Sequence, residues 1–273
     1  MAKRPPGSAR TGPPAQSPPP GTTTASNRLL AALPPDDRHR IASVLRDTAL
    51  TFHQFLHRKG EPLQHVYFPG GGVCSLVTPL ADGSMVEMAM VGNEGLVGAS
   101  AALNGDIAQE TALVQVATDD CSRMTIGEFR REMDRRGPFH DVVARYGQAT
   151  LAFIMQSVAC NALHPVEQRL CRWLLMAHDR LSTDQFPMTQ ELLATMLGIS
   201  RPTVTIVAGT LRKAGLIEYR HGSMTILNRF GLESGTCECY RVVNDAFTAL
   251  VPELQQGTRR SVSDPTDPGD AVR

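Results

Sequence analysis

The chain has 273 residues, of which 42% are hydrophobic and 20% charged, and this composition is typical of a folded protein large enough for two domains. Equal numbers of basic and acidic residues, 27 of each, exclude an inference of nucleic-acid binding from net charge alone. No apolar run reaches the roughly 18 residues that a membrane-spanning helix needs, so we expect a cytoplasmic protein without membrane contacts.

Both ends of the chain have a composition typical of disorder. Residues 1–26 are rich in Pro, Gly, Ser and Thr and contain no apolar segment, which argues against a secretory signal. Residues 251–273 have a similar composition. The sequence therefore predicts a disordered tail at each end.

Residues 27–137 are predicted to form two short helices and then an antiparallel β-roll. Apolar residues recur at helical spacing in NRLLAALPPDDRHRIASVLR, and its two consecutive prolines divide the segment into two helices. Farther on, β-rich runs alternate with glycines, and Asp82-Gly83 is a typical hairpin turn. Residues 111–119, TALVQVATD, predict another strand. Several strands without intervening helices favour a roll or a barrel.

Residues 138–163 are predicted to form one long helix with two apolar faces. A second apolar stripe, at 151, 155, 158 and 162, lies on a face different from the main seam. Such a helix buries both faces, one on the roll and the other on a partner chain; an ordinary core helix is the alternative. The main seam advances in alternate steps of four and three, and we assign it to dimerisation. Its members are Val142, Tyr146, Ala149, Phe153, Gln156 and Cys160.

The segment TMLGISRPTVTIVAGTL contains conflicting signals. Five consecutive β-branched residues at 203–207 favour a strand. However, Pro202 is suited to the first turn of a helix and poorly suited to a central strand. Gly198 suits a tight turn, and Thr189 and Ser200 are suitable helix N-caps. We therefore predict the two helices of a helix-turn-helix, with the strand as the alternative.

After this segment, LIEYRHGSMTIL alternates, turns and alternates again, which predicts the wing of a winged helix within residues 164–250. Residues 201–221 carry four basic side chains and one acidic side chain. We expect the start of the second helix to meet bases in the major groove and the basic residues near the wing to meet phosphates. The predicted DNA-binding residues are Thr189, Gln190, Ser200, Arg201, Thr203, Thr205, Arg212, Lys213, Arg220 and His221.

The order of a glycine-rich roll, a long helix and a winged helix resembles the Crp/Fnr superfamily of bacterial transcription regulators. The resemblance covers about residues 28–250 and rests on KGEPLQHVYFPGGGVCSLV, VGNEGLVG and TQELLATMLGISRPTVTIVAGTLRKAGLIEYRHG. It implies an α+β fold with a cyclic-nucleotide-binding-like β-roll, and a homodimer joined through the long helix. It also implies binding to two-fold symmetric double-stranded DNA, with RNA polymerase as a candidate further partner.

The expected effector site departs from the cyclic-nucleotide sensors of this family. Those members hold the ribose with a Glu that follows a glycine, and the cyclic phosphate with an Arg followed by Ser or Thr. Glu94 stands near the first position, but Glu110 and Thr111 occupy the second, and residues 60–122 contain no Lys or Arg. Because a carboxylate repels a phosphate, we expect a degenerate pocket and no control by cyclic AMP. An effector is then unknown or absent.

No cofactor or metal site is predicted. The six cysteines form no CxxC pair, so reduced thiols are expected, and the N-terminal cysteine cluster of the family's iron-sulfur branch is missing. CEC at 237–239 is interpreted as two incidental thiols in a C-terminal helix. His53 and His57 have the i, i+4 spacing of two ligands on a helix, but a third ligand is not evident. Haem binding through a histidine stays open.

Two alternatives to a transcription regulator come from other functional classes. One is a small-molecule or protein-interaction sensor with a vestigial DNA-binding domain. The other is an enzyme built on the roll, for which the sequence contains no nucleophile elbow, metal triad or phosphate-binding loop. We therefore predict no catalytic residues.

Overall fold

The computed structural model describes residues 26–103 and 105–255. The two predicted tails lie almost entirely outside this part of the chain. The first described elements are the two short helices expected around the prolines, α1 (Arg28–Ala31) and α2 (Pro35–Val44). Asn27 caps α1 by accepting a hydrogen bond from the Leu30 amide at 3.1 Å, and its side-chain amide donates to the Pro69 carbonyl at 2.7 Å. This one side chain therefore fixes α1 against the roll.

Seven strands then form the predicted antiparallel roll. They are β1 (Arg46–Asp47), β2 (Phe55–His57), β3 (His65–Pro69), β4 (Val73–Pro79), β5 (Met85–Val91), β6 (Thr111–Val116) and β7 (Cys121–Thr125). One sheet has the order β1-β7-β3 and the other β2-β6-β4-β5. The β4–β5 hairpin turns at the predicted position, where Gly83 has a φ of +84°.

Two helices follow the roll, α3 (Ile126–Asp134) and α4 (Pro138–Leu163). A capping box starts α3: Thr125 accepts from the Glu128 amide at 3.2 Å, and Glu128 accepts from the Thr125 amide at 2.9 Å. The α4 helix has the predicted bounds, with its proline in the first turn, where a missing N–H costs little.

The remaining described elements form the C-terminal domain. They are α5 (Val166–Arg180), β8 (Gln185–Pro187), α6 (Gln190–Leu197), α7 (Arg201–Lys213), β9 (Ile217–Arg220), β10 (Ser223–Ile226), α8 (Arg229–Gly235), α9 (Cys239–Leu250) and a 3-10 turn (Pro252–Gln255). Their sheet has the order β8-β10-β9, and the short β8 is not among the predicted elements. Val251 and Leu254 are buried, so regular structure continues into the segment predicted as a tail. No single helix in the described part is long and apolar enough to span a bilayer; α6 and α7 pass that test only as a pair bent by 106°.

The main seam of α4 is buried inside its own chain. Tyr146 and Phe153 are almost inaccessible, and their rings lie 6.0 Å and 6.4 Å from the ring of Phe247 in α9. Gln156 is half-buried, and the other three seam members, Val142, Ala149 and Cys160, are buried as well. The assignment of this seam to a partner chain is corrected accordingly, because side chains covered by the protomer's own α9 and roll are not free to contact a second chain.

One hydrophobic cluster connects the roll with the C-terminal domain. It runs from β4 and β5, through Trp173 and Leu174 of α5, to the inner faces of α6 and α7. The cluster contains buried apolar residues from both halves of the chain. The winged helix is therefore packed on the roll and shares its core.

Candidate nucleic-acid interface

The segment with conflicting signals forms a helix-turn-helix. Gly198 ends α6 in the left-handed conformation, with a φ of +62°, and its N–H bonds back to the last turn of α6. Thr189 accepts a hydrogen bond from the Leu192 amide at 3.1 Å and so caps α6, while Ser200 caps α7. The helix prediction for the β-branched run is confirmed. Tertiary packing overrides the strand propensity because the inward positions of α7 are all apolar and buried: Val204, Val207, Ala208 and Leu211.

The outer face of α7 starts at the turn. Arg201 and Thr205 are exposed, whereas Thr203 is half-buried and its hydroxyl lies 2.8 Å from that of Ser200. The Thr205 hydroxyl lies 2.9 Å from Gln190 Oε1, so the starts of the two helices are joined through side chains. Some of the predicted DNA-binding residues therefore already make hydrogen bonds within the protein, either as helix caps or between the two helices.

Ile206 is an exposed apolar residue that does not belong to the DNA-binding set predicted from the sequence. It lies next to Thr205 on the outer face of α7 and is 70% exposed. Helical periodicity could have predicted this exposure from the sequence, because position 206 lies on the side of α7 away from the buried positions 204 and 207–208. An uncovered apolar side chain between polar ones is suited to contact with a thymine methyl group.

The wing is the predicted hairpin of β9 and β10. His221 and Gly222 both have positive φ, +49° and +76°, as a two-residue hairpin turn requires. Arg220 is exposed, and its Nε lies 2.7 Å from Glu218 Oε1. The Gly222 carbonyl accepts a hydrogen bond from the Met188 amide at 2.7 Å, so the wing tip is joined to the start of the helix-turn-helix.

The predicted DNA-binding residues fall into three groups. Six of them lie at the starts of α6 and α7, and Arg212 and Lys213 are exposed at the other end of α7. At 1.5 Å per residue, that end lies roughly 16–18 Å from Arg201 along the helix. The third group is Arg220 and His221 on the wing. Exposed basic side chains therefore lie on both sides of the start of α7, at its far end and on the wing. This arrangement suits contact with the phosphates on the two sides of a DNA groove.

Glu94 is engaged in an interdomain ion pair. It is buried, and its Oε1 accepts from Arg180 Nε in α5 at 2.8 Å, while its Oε2 accepts from the Gly92 amide at 3.1 Å. The residue expected to face a ribose therefore connects the roll to the C-terminal domain.

The two other predicted effector residues also have internal partners. Glu110 Oε1 lies 3.3 Å from His57 Nε2, and the Thr111 hydroxyl accepts from the Lys59 amide at 3.0 Å. Burial raises the pKa of Glu110, but the nearby His57 imidazole, the backbone and Ser100 together outweigh that effect, and the net shift is downward. The position thus holds a carboxylate already paired within the roll. His53 lies in an exposed turn with a φ of +62°, so it and His57 do not share a helix face.

A second buried carboxylate at the interdomain contact was not found from the sequence. Glu87 in β5 accepts from Trp173 Nε1 in α5 at 2.9 Å and from Gln115 Nε2 at 3.2 Å, and Ser75 also donates to it. Burial raises the pKa of Glu87 to about 7, because these donors and the nearby Arg172 do not fully replace water.

A cavity of about 230 Å³ lies where α1, the roll, α5 and α9 meet. Its charged groups neutralise one another: Arg229 donates to Asp179 at 2.7 Å, and Tyr240 donates to the other carboxylate oxygen at 2.8 Å. Burial lowers the pKa of Arg28, which also lines the cavity. The cavity therefore belongs to the same polar contact between domains as Glu94 and Arg180.

Comparison with known proteins agrees with this architecture. Residues 168–234 match the model of the Crp-like helix-turn-helix domain. A search of curated protein sequences found no match. FixK2 from Bradyrhizobium japonicum has a similar structure, with a TM-score of 0.62 and 15% identity over 71% of this chain and 98% of its own.

Two other solved structures have the same fold. The CRP-family transcriptional regulator TTHB099 from Thermus thermophilus has a TM-score of 0.58 and 21% identity over 69% of this chain and 95% of its own. CLP from Xanthomonas campestris, described as a c-di-GMP responsive global regulator, has a TM-score of 0.56 and 16% identity over 70% and 98%.

Fold and interface together define a two-part architecture of a β-roll joined to a winged helix-turn-helix. Residues 168–234 match a Crp-like helix-turn-helix domain, and the described chain shares the overall fold of FixK2 and TTHB099.

Proposed function

We propose that the protein is a sequence-specific DNA-binding transcription regulator that acts as a homodimer on a two-fold symmetric site. The observation that carries this proposal is the exposed first half of α7, which presents Arg201, Thr205 and Ile206 to solvent beside a capped turn. Arginine can donate two hydrogen bonds to a guanine, and the threonine methyl and isoleucine can contact thymine methyl groups. Lys213 and Arg220 are assigned to phosphates, which position the protein without reading sequence.

The exposed face of α4 supports a homodimer. Leu151, Met155 and Val158 are 56%, 59% and 67% exposed, respectively, although all three are apolar. The exposed positions of α4 from 144 to 162 are 144, 148, 151, 155, 158 and 162, which advance in steps of four and three like a coiled-coil seam. A second copy of α4 that packs on this seam would place two winged helices on one face of the DNA, as a palindromic site requires.

Cyclic AMP is not the proposed effector. Glu110 occupies the expected phosphate position as a paired carboxylate, and its pKa is lowered, so it is ionised near neutral pH. Glu94 at the expected ribose position is engaged by Arg180. A cyclic nucleotide that entered in the family's usual orientation would meet negative charge at its phosphate.

The test is a selection of genomic DNA fragments by the purified full-length protein, without an effector and at several salt concentrations. We expect enrichment of a two-fold symmetric motif whose half-sites are about one helical turn apart, with affinity that falls steeply as salt rises. Binding without sequence preference at every salt concentration would contradict base reading by α7. Absence of binding even at low salt would favour a sensor with a vestigial DNA-binding domain.

A further inference from the structure

Four potential metal ligands meet at the junction between α4 and α9. Cys160 and His164 come from the end of α4, and Cys237 and Cys239 come from the start of α9, about 75 residues later in the chain. One ligand atom from each of the four side chains lies within 4.8 Å of every other. From the sequence, Cys237 and Cys239 are interpreted as incidental thiols, because CEC alone is too tight and too isolated to hold a metal cluster.

We propose that these four side chains form a Zn²⁺ site with three cysteine ligands and one histidine ligand. Tetrahedral sites of this composition are typical of structural zinc, which prefers thiolate and imidazole ligands. The proposal does not depend on the DNA-binding function, since the site lies outside the helix-turn-helix.

The distances between ligand atoms fit a single ion. Cys160 Sγ lies 3.6 Å from Cys237 Sγ, and Cys239 Sγ lies 3.4 Å from His164 Nδ1. A tetrahedral zinc ion with bonds of about 2.3 Å to sulfur and 2.0–2.1 Å to nitrogen separates two sulfur ligands by about 3.8 Å and a sulfur from a nitrogen by about 3.6 Å. These two pairs need to shift by only a few tenths of an ångström to bind zinc, and the other four pairs, all within 4.8 Å, need to shift by at most about 1 Å.

The groups around the four ligands also fit a metal site. Glu238 Oε2 lies 3.3 Å from His164 Nε2, the nitrogen opposite to the one that faces the cysteines. Such a carboxylate fixes the histidine tautomer that presents Nδ1 to a metal. Gln156 Nε2 lies 2.9 Å from Cys239 Sγ and can donate to a thiolate there. Arg169 is buried nearby, and its positive charge would offset part of the negative charge of thiolates at Cys160 and Cys237.

The cysteine ligands are buried and the histidine ligand is partly exposed, so the site is shielded from solvent but can still be reached by an ion. The three cysteines are buried, and together they form a small cluster separate from the main hydrophobic cores of the described chain. His164 is partly exposed and Glu238 is exposed, so an ion can enter from their side. Bound zinc would join the end of α4 to the start of α9 directly before Pro165, where the C-terminal domain begins.

The experiment uses the full-length chain without a histidine tag. Zinc content is measured by elemental analysis after gel filtration, and Co²⁺ is then substituted as a spectroscopic probe. We expect one zinc ion per chain, and a cobalt spectrum with the intense visible bands and thiolate charge-transfer bands of a tetrahedral site. His164→Ala and Cys239→Ser should each weaken zinc binding at least tenfold in competition with a chelator, whereas Cys74→Ser, which removes a buried thiol of the roll, should leave it unchanged.

Of these variants, Glu238→Gln should disturb folding least, because its side chain lies at the surface. It should lower zinc affinity about tenfold through the loss of histidine orientation, with an unchanged circular dichroism spectrum. Folded, fully reduced wild-type protein that takes up no zinc would overturn the proposal. So would an octahedral cobalt spectrum, or equal zinc loss in Cys74→Ser. If Cys160 and Cys237 formed a disulfide and the reduced protein did not bind zinc, the cluster would instead be a redox-sensitive thiol pair, and the zinc proposal would be wrong.

Discussion

Glu87 and Glu94 bring two buried carboxylates to the contact between the roll and α5, but their environments differ. Glu94 faces the guanidinium of Arg180, so its negative charge is compensated where it lies. Glu87 accepts hydrogen bonds from neutral donors, and burial raises its pKa to about 7. Protein stability should therefore depend on the partner of Glu94, and on pH through Glu87.

Arg180→Met is expected to lower the free energy of unfolding by about 3–5 kcal/mol, because it removes the guanidinium that is hydrogen-bonded to the buried Glu94. The double variant Glu94→Gln/Arg180→Met should recover much of that loss. Arg220→Met removes one member of an exposed ion pair and should cost less than about 1 kcal/mol. Urea denaturation measures all three. Equal losses for Arg180→Met and Arg220→Met would contradict the buried pair.

Glu87 should make stability depend on pH. Its folded-state pKa lies above the unfolded value, so its contribution to stability is full below pH 4.5 and is lost as pH rises to about 7. Over that window the loss approaches about 3 kcal/mol. Glu87→Gln, which cannot ionise, should flatten the curve of unfolding free energy between pH 5 and pH 8. Glu61→Gln, at an exposed position, is the control and should keep the wild-type dependence of unfolding free energy on pH. If Glu87→Gln also kept that dependence, ionisation of Glu87 would not be its cause.

Arg201→Ala tests base reading by a single side chain. It should weaken binding to the selected DNA site by about 1–3 kcal/mol and relax the preference at one base pair of each half-site. Arg241→Ala removes the same charge from an exposed position on α9 and should change affinity little. Binding titrations on a set of single-base variants of the site measure both effects. Uniform weakening across the set would assign Arg201 to a phosphate instead.

At the scale of elements, the turn between α6 and α7 depends on one glycine. Gly198 has a φ of +62°, and a Cβ added there would lie 3.2 Å from Val86 Cγ2 of β5. The position therefore combines a left-handed backbone with close packing on the roll. Gly209, in contrast, lies inside α7 and has no neighbour within 4 Å of an added Cβ.

These two glycines provide opposite predictions for the same substitution. Gly198→Ala should lower the free energy of unfolding by about 1–2 kcal/mol, since a side chain strains the left-handed turn. Gly209→Ala should raise it by up to about 1 kcal/mol, because alanine has the higher helix propensity. Thermal denaturation compares the two variants. A stabilised Gly198→Ala would mean that the turn does not require a positive φ.

At the scale of the whole molecule, the proposed homodimer depends on the exposed face of α4. Leu151→Glu places a charge in the proposed seam and should convert the dimer to a monomer, with at least a tenfold weaker dimer association. Leu80→Glu is the matched control, since Leu80 is 54% exposed and Leu151 56%, and Leu80 lies in the β4–β5 hairpin. Sedimentation equilibrium measures both. A Leu151→Glu protein that stays dimeric would place the dimer contact elsewhere.

Signals that lie within a few residues of each other are enough to predict several elements. The consecutive prolines, Asp82-Gly83, Gly198 and His221-Gly222 each constrain the backbone at their own position, so the helices, hairpins and helix-turn-helix follow from the sequence. Caps and turns predict the winged helix in this way, even though five β-branched residues favour a strand. The short β8 is missed because three residues carry too little pattern.

Tertiary structure decided which faces are covered and which distant residues meet. Both stripes of α4 are apolar at helical spacing, and only the position of α9 leaves Leu151 rather than Phe153 exposed. Likewise, Cys160 and Cys237 are 77 residues apart, and their 3.6 Å contact arises because α9 returns to the end of α4. Local sequence determines backbone conformation through short-range sterics and hydrogen bonds, whereas burial and ligand geometry depend on long-range packing, which no spacing within one segment encodes.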